Sequence, residues 1–117
     1  MTVAARVLSI VVALVFLVTG GVKVAQLPQS LRVRDRFGLA PRVWVVVGLL
    51  EVAGAVGTAL GPLWWPIGVL ALIGLAALMV GAVVNRLRVG DPAWAWIGDV
   101  AVLAMVLLTA KGQLPGS

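Results

Sequence analysis

Residues 43–61 read VWVVVGLLEVAGAVGTALG, a run that is apolar apart from Thr58 and one carboxylate near its centre, Glu51. About twenty residues at 1.5 Å each cover the hydrocarbon core of a bilayer, so the run has the length of a membrane-crossing helix. A carboxylate at mid-depth costs about 2.5 to 3.5 kcal/mol on insertion scales. Something elsewhere in the chain must offset that cost, and the other polar positions are read with this question in mind.

The composition agrees with a membrane setting. Of 117 residues, 62% are hydrophobic and only 11% charged, and the mean hydropathy is +1.17. Both lie outside the range of soluble domains. This length supplies three or four spans with short loops and no separate soluble domain. The expected fold is therefore all-α, one membrane four-helix bundle over 1–117. Spans are expected at about 4–24, 43–61, 67–84 and 93–109, joined by basic connectors at 26–42 and 85–92. The first apolar segment is kept as a span rather than a signal peptide, because its core outruns the usual h-region and lacks a small-x-small cleavage pattern.

Two absences narrow the chemistry. The chain has no Cys and no His, so thiolate relays and the imidazole or thiolate ligands of haem, zinc, copper and non-haem iron are missing, and no metal site is expected. No cofactor is built in, and a bound quinone or other lipid is the candidate guest. The net charge of +5 is assigned to topology and anionic headgroups, since the cations flank spans; nucleic acid is not an expected partner.

The first connector, 26–42, carries four Arg and one Asp, is bracketed by Pro28 and Pro41, and has Leu31, Val33, Phe37 and Leu39 interleaved with the charges. A short interfacial helix and a solvated basic loop both fit it. Lys23, Arg32, Arg34, Arg36, Arg42, Arg86 and Arg88 lie on the connector side, against Arg6 and Lys111 on the other. Cation bias then puts the connectors in the cytoplasm and both termini outside. Trp44, Trp94 and Trp96 would form one aromatic belt, and Trp64 and Trp65 the other. Gly48, Gly54, Gly57 and Gly61 in the second span, and Gly68, Gly74 and Gly81 in the third, read as close-packing positions.

Depth brings the polar residues together. Glu51 lies about 13 Å and Asp99 about 9 Å inside the connector face, with Lys23 and Asn85 at the ends of their spans on the same side. Lys23 can reach in to pair with Glu51. If it turns out to the headgroups instead, burial favours Glu51 as a neutral acid. The candidate acid and base are thus Glu51 and Asp99, and the candidate ligand-binding residues are Lys23, Asn85 and Thr58, the last two turns from Glu51. A structural ion pair that fixes helix register is the competing reading.

The ordered pieces GGVK (20–23), FGLAP (37–41), GLLEVAGAVG (48–57) and GAVVNRLRVGDP (81–92) make the chain resemble the DoxX-like family of small four-span bacterial membrane proteins. The family's spaced Lys and Glu match Lys23 and Glu51. Its frequent His in a Thr-His-x-Arg-x-Gly motif does not, since Asn85-Arg86 stands there, and a role tied to that His does not carry over. The resemblance implies a bundle in the bacterial cytoplasmic membrane and a redox-associated setting, because the wider group includes a subunit linked to thiosulfate and quinone oxidation.

Four functions follow as expectations. The preferred one is an accessory subunit that holds a quinone or similar lipid beside a membrane redox partner. The alternative is a stand-alone enzyme using Glu51 and Asp99 on a lipophilic substrate by isomerase, epoxide-opening or cyclase chemistry. A small transporter and a structural subunit rank below these. Membrane lipids and further copies of the chain complete the expected partners.

Overall fold

In the computed structural model, which describes residues 1–116, the chain is all-helical. The helices are α1 (Val3–Val24), α2 (Pro28–Phe37), α3 (Pro41–Leu60), α4 (Trp65–Arg88) and α5 (Ala93–Gln113). Ser117, the end of the expected unit, lies outside the described residues. Four helices, α1, α3, α4 and α5, are long and apolar enough to cross a membrane. They pack in the ring order α1–α3–α4–α5, and α5 closes back on α1.

Local signals explain the boundaries. Thr2 caps α1 by accepting from the Ala5 amide at 3.1 Å, which satisfies one of the free donors of the first turn. Pro28, Pro41 and Pro66 stand in the first turns of α2, α3 and α4, where a missing N–H costs nothing. The first connector resolves as a helix. Gly38 ends it in the left-handed conformation, φ 69°, which a side chain would disfavour.

The third span runs one turn further than its apolar stretch indicates. Asn85, Arg86, Leu87 and Arg88 belong to α4 rather than to a connector. No breaker precedes Gly90 and Pro92, and cations suit a helix C-terminus. Likewise α5 continues to Gln113.

The core is formed by Val12, Phe16, Ala55, Leu72, Leu75, Met79 and Val106. Lipid-facing residues such as Leu14, Leu49, Leu70 and Leu108 stay exposed, as a bundle with apolar surroundings requires. Close approach concentrates where α3 meets its neighbours. A Cβ on Gly20 would stand 2.6 Å from the Gly48 carbonyl oxygen, and one on Gly54 would meet the Leu75 side chain at 2.6 Å. Gly74 and Gly81 have no such neighbour, so the close-packing role expected of them falls away: both face open space.

Trp44 also departs from expectation. It does not sit in an aromatic belt but is buried at 5% exposure. One turn into α3, it packs edge-to-face on Phe37 with ring centroids 6.3 Å apart. Its indole N–H donates to the Ser30 hydroxyl at 2.6 Å, the partner a buried indole needs. Trp94, Trp64 and Trp65 remain exposed, in keeping with belts at the two faces.

Candidate functional site

The approach of α1 and α3 at Gly20 and Gly48 decides the first contact of the site. With no side chains between the backbones, Lys23 one turn beyond Gly20 reaches Glu51 one turn beyond Gly48. Lys23 Nζ lies 3.0 Å from Glu51 Oε2, with side-chain exposures of 15% and 7%. Thr19, one turn before Lys23 on the same face, donates its hydroxyl to the same oxygen at 3.0 Å. The ammonium also stands over the Trp44 ring, 5.1 Å from its centroid, a further favourable term for a half-buried cation. These contacts offset the cost of placing Glu51 in the bundle.

Asp99 is held by a different cation. Arg86, on the extra turn of α4, bonds Asp99 through Nε and Asp91 through Nη1 at 3.0 Å. Arg36 of α2 pairs with the other oxygen of Asp91. Arg88 donates to the Phe37 carbonyl at 2.6 Å and to Asn85 Oδ1 at 2.9 Å, and the Asn85 amide donates to the Gly81 carbonyl at 3.0 Å. Arg86 also lies over the Phe37 ring at 5.6 Å. The end of α2 is therefore tied to α4 by two arginines and packed against α3 through Phe37 and Trp44.

Between these two clusters lies a cavity of about 450 Å³. Lys23, Glu51, Asn85 and Asp99 all line it, so four of the five residues picked out by depth and polarity share one space. Val15, Phe16, Leu78, Met79 and Val102 make its apolar walls, and α2 contributes Ser30, Val33 and Phe37. The volume falls within the range of about 300 to 1,000 Å³ found for small-molecule pockets, and mostly apolar walls with a few placed polar groups are typical of them. The pairing of Lys23 with Glu51 and the presence of a cavity are therefore not alternatives: both hold.

Thr58 is the fifth residue, and the structure places it elsewhere. It is fully buried and is not among the residues lining the cavity. Two helical turns carry it about 10 Å further along the helix axis. Its neighbour there is Gln113, whose amide donates to the Thr58 carbonyl at 3.2 Å.

Several lining residues escaped the sequence reading. Thr19 had a usable signal, its i−4 spacing from Lys23. Arg86 was counted only as a connector charge, and it enters the site because α4 continues. Ser30, Phe37 and Trp44 come together through the fold of α2 onto α3, which no local pattern announces.

No curated protein and no solved structure matches the chain. A family model described as the DoxX-like family does match, over residues 7–109, an interval that holds α3 and α4 whole, most of α1 and α5, and every polar group of the cavity. The chain belongs to the DoxX-like family.

Proposed function

We propose that this protein binds a lipophilic molecule with a polar ring, such as a quinone, in the cavity on the connector side, and serves as the accessory subunit of a membrane redox system. The observation that carries the reading is the cavity itself: about 450 Å³ of mostly apolar space, with Lys23 and Glu51 at one wall and Arg86 and Asp99 at another. Such a space accepts an apolar body and offers hydrogen bonds to a polar head. The redox association rests on the family resemblance, and the electrons would pass through a partner. The bacterial cytoplasmic membrane is the proposed setting, with the connectors inside and both termini outside. Because the chain contains no Cys, single introduced thiols at Thr2 and Arg42 report each face by labelling in intact cells.

The test is lipid extraction and mass spectrometry of protein purified in mild detergent, beside an Ala82→Phe variant that fills the cavity. A quinone-type lipid retained by the native chain and lost from Ala82→Phe supports the reading. An extract holding only bulk phospholipid, equal in both, sinks it. Copurification of a flavin or iron-sulfur protein tests the redox association separately.

A second reading has one specific observation in its favour, since Glu51 and Asp99 line the same cavity. A stand-alone enzyme would use one as acid and the other as base. Each carboxylate already has an oxygen engaged by a cation, so that oxygen reaches a substrate only by breaking its pair, and this places the enzyme reading second.

A further inference from the structure

The connector half has four carboxylates; Asp35 is exposed on the surface of α2, and the three with largely buried side chains differ in how completely they are satisfied. Asp91 has both oxygens filled, one by Arg36 and one by Arg86. Glu51 accepts from Lys23 and from Thr19, and both donors converge on Oε2. Asp99 accepts only at Oδ2, from Arg86. Oε1 of Glu51 and Oδ1 of Asp99 thus accept from no described residue, and neither is among the sealed, unpartnered polar atoms of the interior. Both residues line the cavity, while Asp91 does not. Of the three, the one outside the cavity has both oxygens bonded, and the two that line it each keep one oxygen without a partner.

An open carboxylate oxygen selects for a hydrogen-bond donor. A ligand hydroxyl can donate to it and can also accept from the spare Lys23 N–H. A carbonyl can only accept, so it leaves the carboxylate oxygen stripped of water and unpaired, the costly arrangement for a buried polar group. Resting on the cavity reading above, we propose that the occupant presents a hydroxyl donor to Glu51 Oε1 and Asp99 Oδ1, so that of the two redox forms of a quinone the site holds the hydroquinone. Both ring hydroxyls of a hydroquinone are donors, which suits a cavity with two open acceptors on different helices.

Titration calorimetry of the full chain in detergent micelles, under anaerobic conditions, tests this with tetramethyl-1,4-benzoquinone and its hydroquinone. The hydroquinone is expected to bind at least about tenfold tighter, since an unpaired buried acceptor costs upward of one factor of ten. For a two-electron couple such a preference raises the midpoint potential of the bound pair by about 30 mV. In Glu51→Gln the amide oxygen turns to Lys23 and the N–H₂ faces the cavity, so the preference should fall or invert. Should that variant fail to fold, Asp99→Asn makes the same exchange at the other wall. Gly74→Ala, outside the cavity and with nothing within 4 Å of the added methyl, should keep the preference. Quinone bound as tightly as hydroquinone overturns the inference and leaves the cavity reading standing. A preference unchanged in both Glu51→Gln and Asp99→Asn also overturns it. Binding of neither form overturns both.

Discussion

The two ends of the bundle both bury polar groups and use them in opposite ways. On the connector side the polar groups are charged and border a cavity. At the terminal end they are neutral and bonded to one another within the packed helices. Gln113 turns its amide inward to Ser9 Oγ at 2.9 Å and to the Thr58 carbonyl at 3.2 Å, and Ser9 donates to the Ala5 carbonyl at 2.8 Å. Gly61 and Gly68 face that amide so closely that a methyl on either would collide with it. Small residues and neutral hydrogen bonds are the usual means of joining helices in a membrane. Ionisable groups beside open space mark function instead. The terminal end reads as the fastening of the bundle and the connector end as its working part.

The largest break in this contrast should come from Lys23→Met, which leaves the buried Glu51 without its cation. A loss of about 3 kcal/mol is expected, read as the shift in detergent-induced unfolding of micelle-embedded protein. Adding Glu51→Leu should recover most of it, because the stranded charge is gone. If the double variant is no more stable than the single one, the pair is not what holds α1 to α3.

Gly68→Ala comes next. Overpacking against Gln113 and Gly61 costs up to about 3 kcal/mol, and the better helix propensity of Ala returns about 1 kcal/mol, so a net loss of about 2 kcal/mol should appear in the same assay. Gly74→Ala, where nothing lies within 4 Å, is the control and should be neutral or slightly stabilising.

Trp44→Phe removes the bond to Ser30 and should cost about 1 kcal/mol. Its diagnostic is local: amide exchange should rise in α2 while the terminal end stays protected. Equal change at both ends would mean that Ser30 and Trp44 do not fasten α2.

Gln113→Met is expected to have the smallest effect, under about 1 kcal/mol. It keeps the volume and removes an amide oxygen that is buried without a partner, so the lost hydrogen bonds are partly returned. A large loss would show that the neutral end depends on its polar bonds and not on packing, and the distinction between the two ends would weaken.

The four spans were legible in the sequence because the membrane requirement is one-dimensional: an uninterrupted apolar run of about twenty residues satisfies its own backbone wherever it lies. Depth is one-dimensional too, and that is why Lys23, Glu51, Asn85 and Asp99 could be assigned to one half of the bundle from counting alone. Thr58 shows the limit of a face argument without depth, since it shares a side of α3 with Glu51 but lies two turns further along. What only the tertiary structure decided is azimuth and partner. Gly20 against Gly48 sets Lys23 on Glu51, the extra turn of α4 delivers Arg86 to Asp99, and α2 folds Phe37 and Ser30 onto Trp44. These contacts join residues far apart in the chain, and they depend on how each helix is rotated about its own axis. The apolar run at 43–61 specifies that Glu51 must be compensated; the rotation of α1 against α3 specifies by what, and which of its two oxygens is left without a partner.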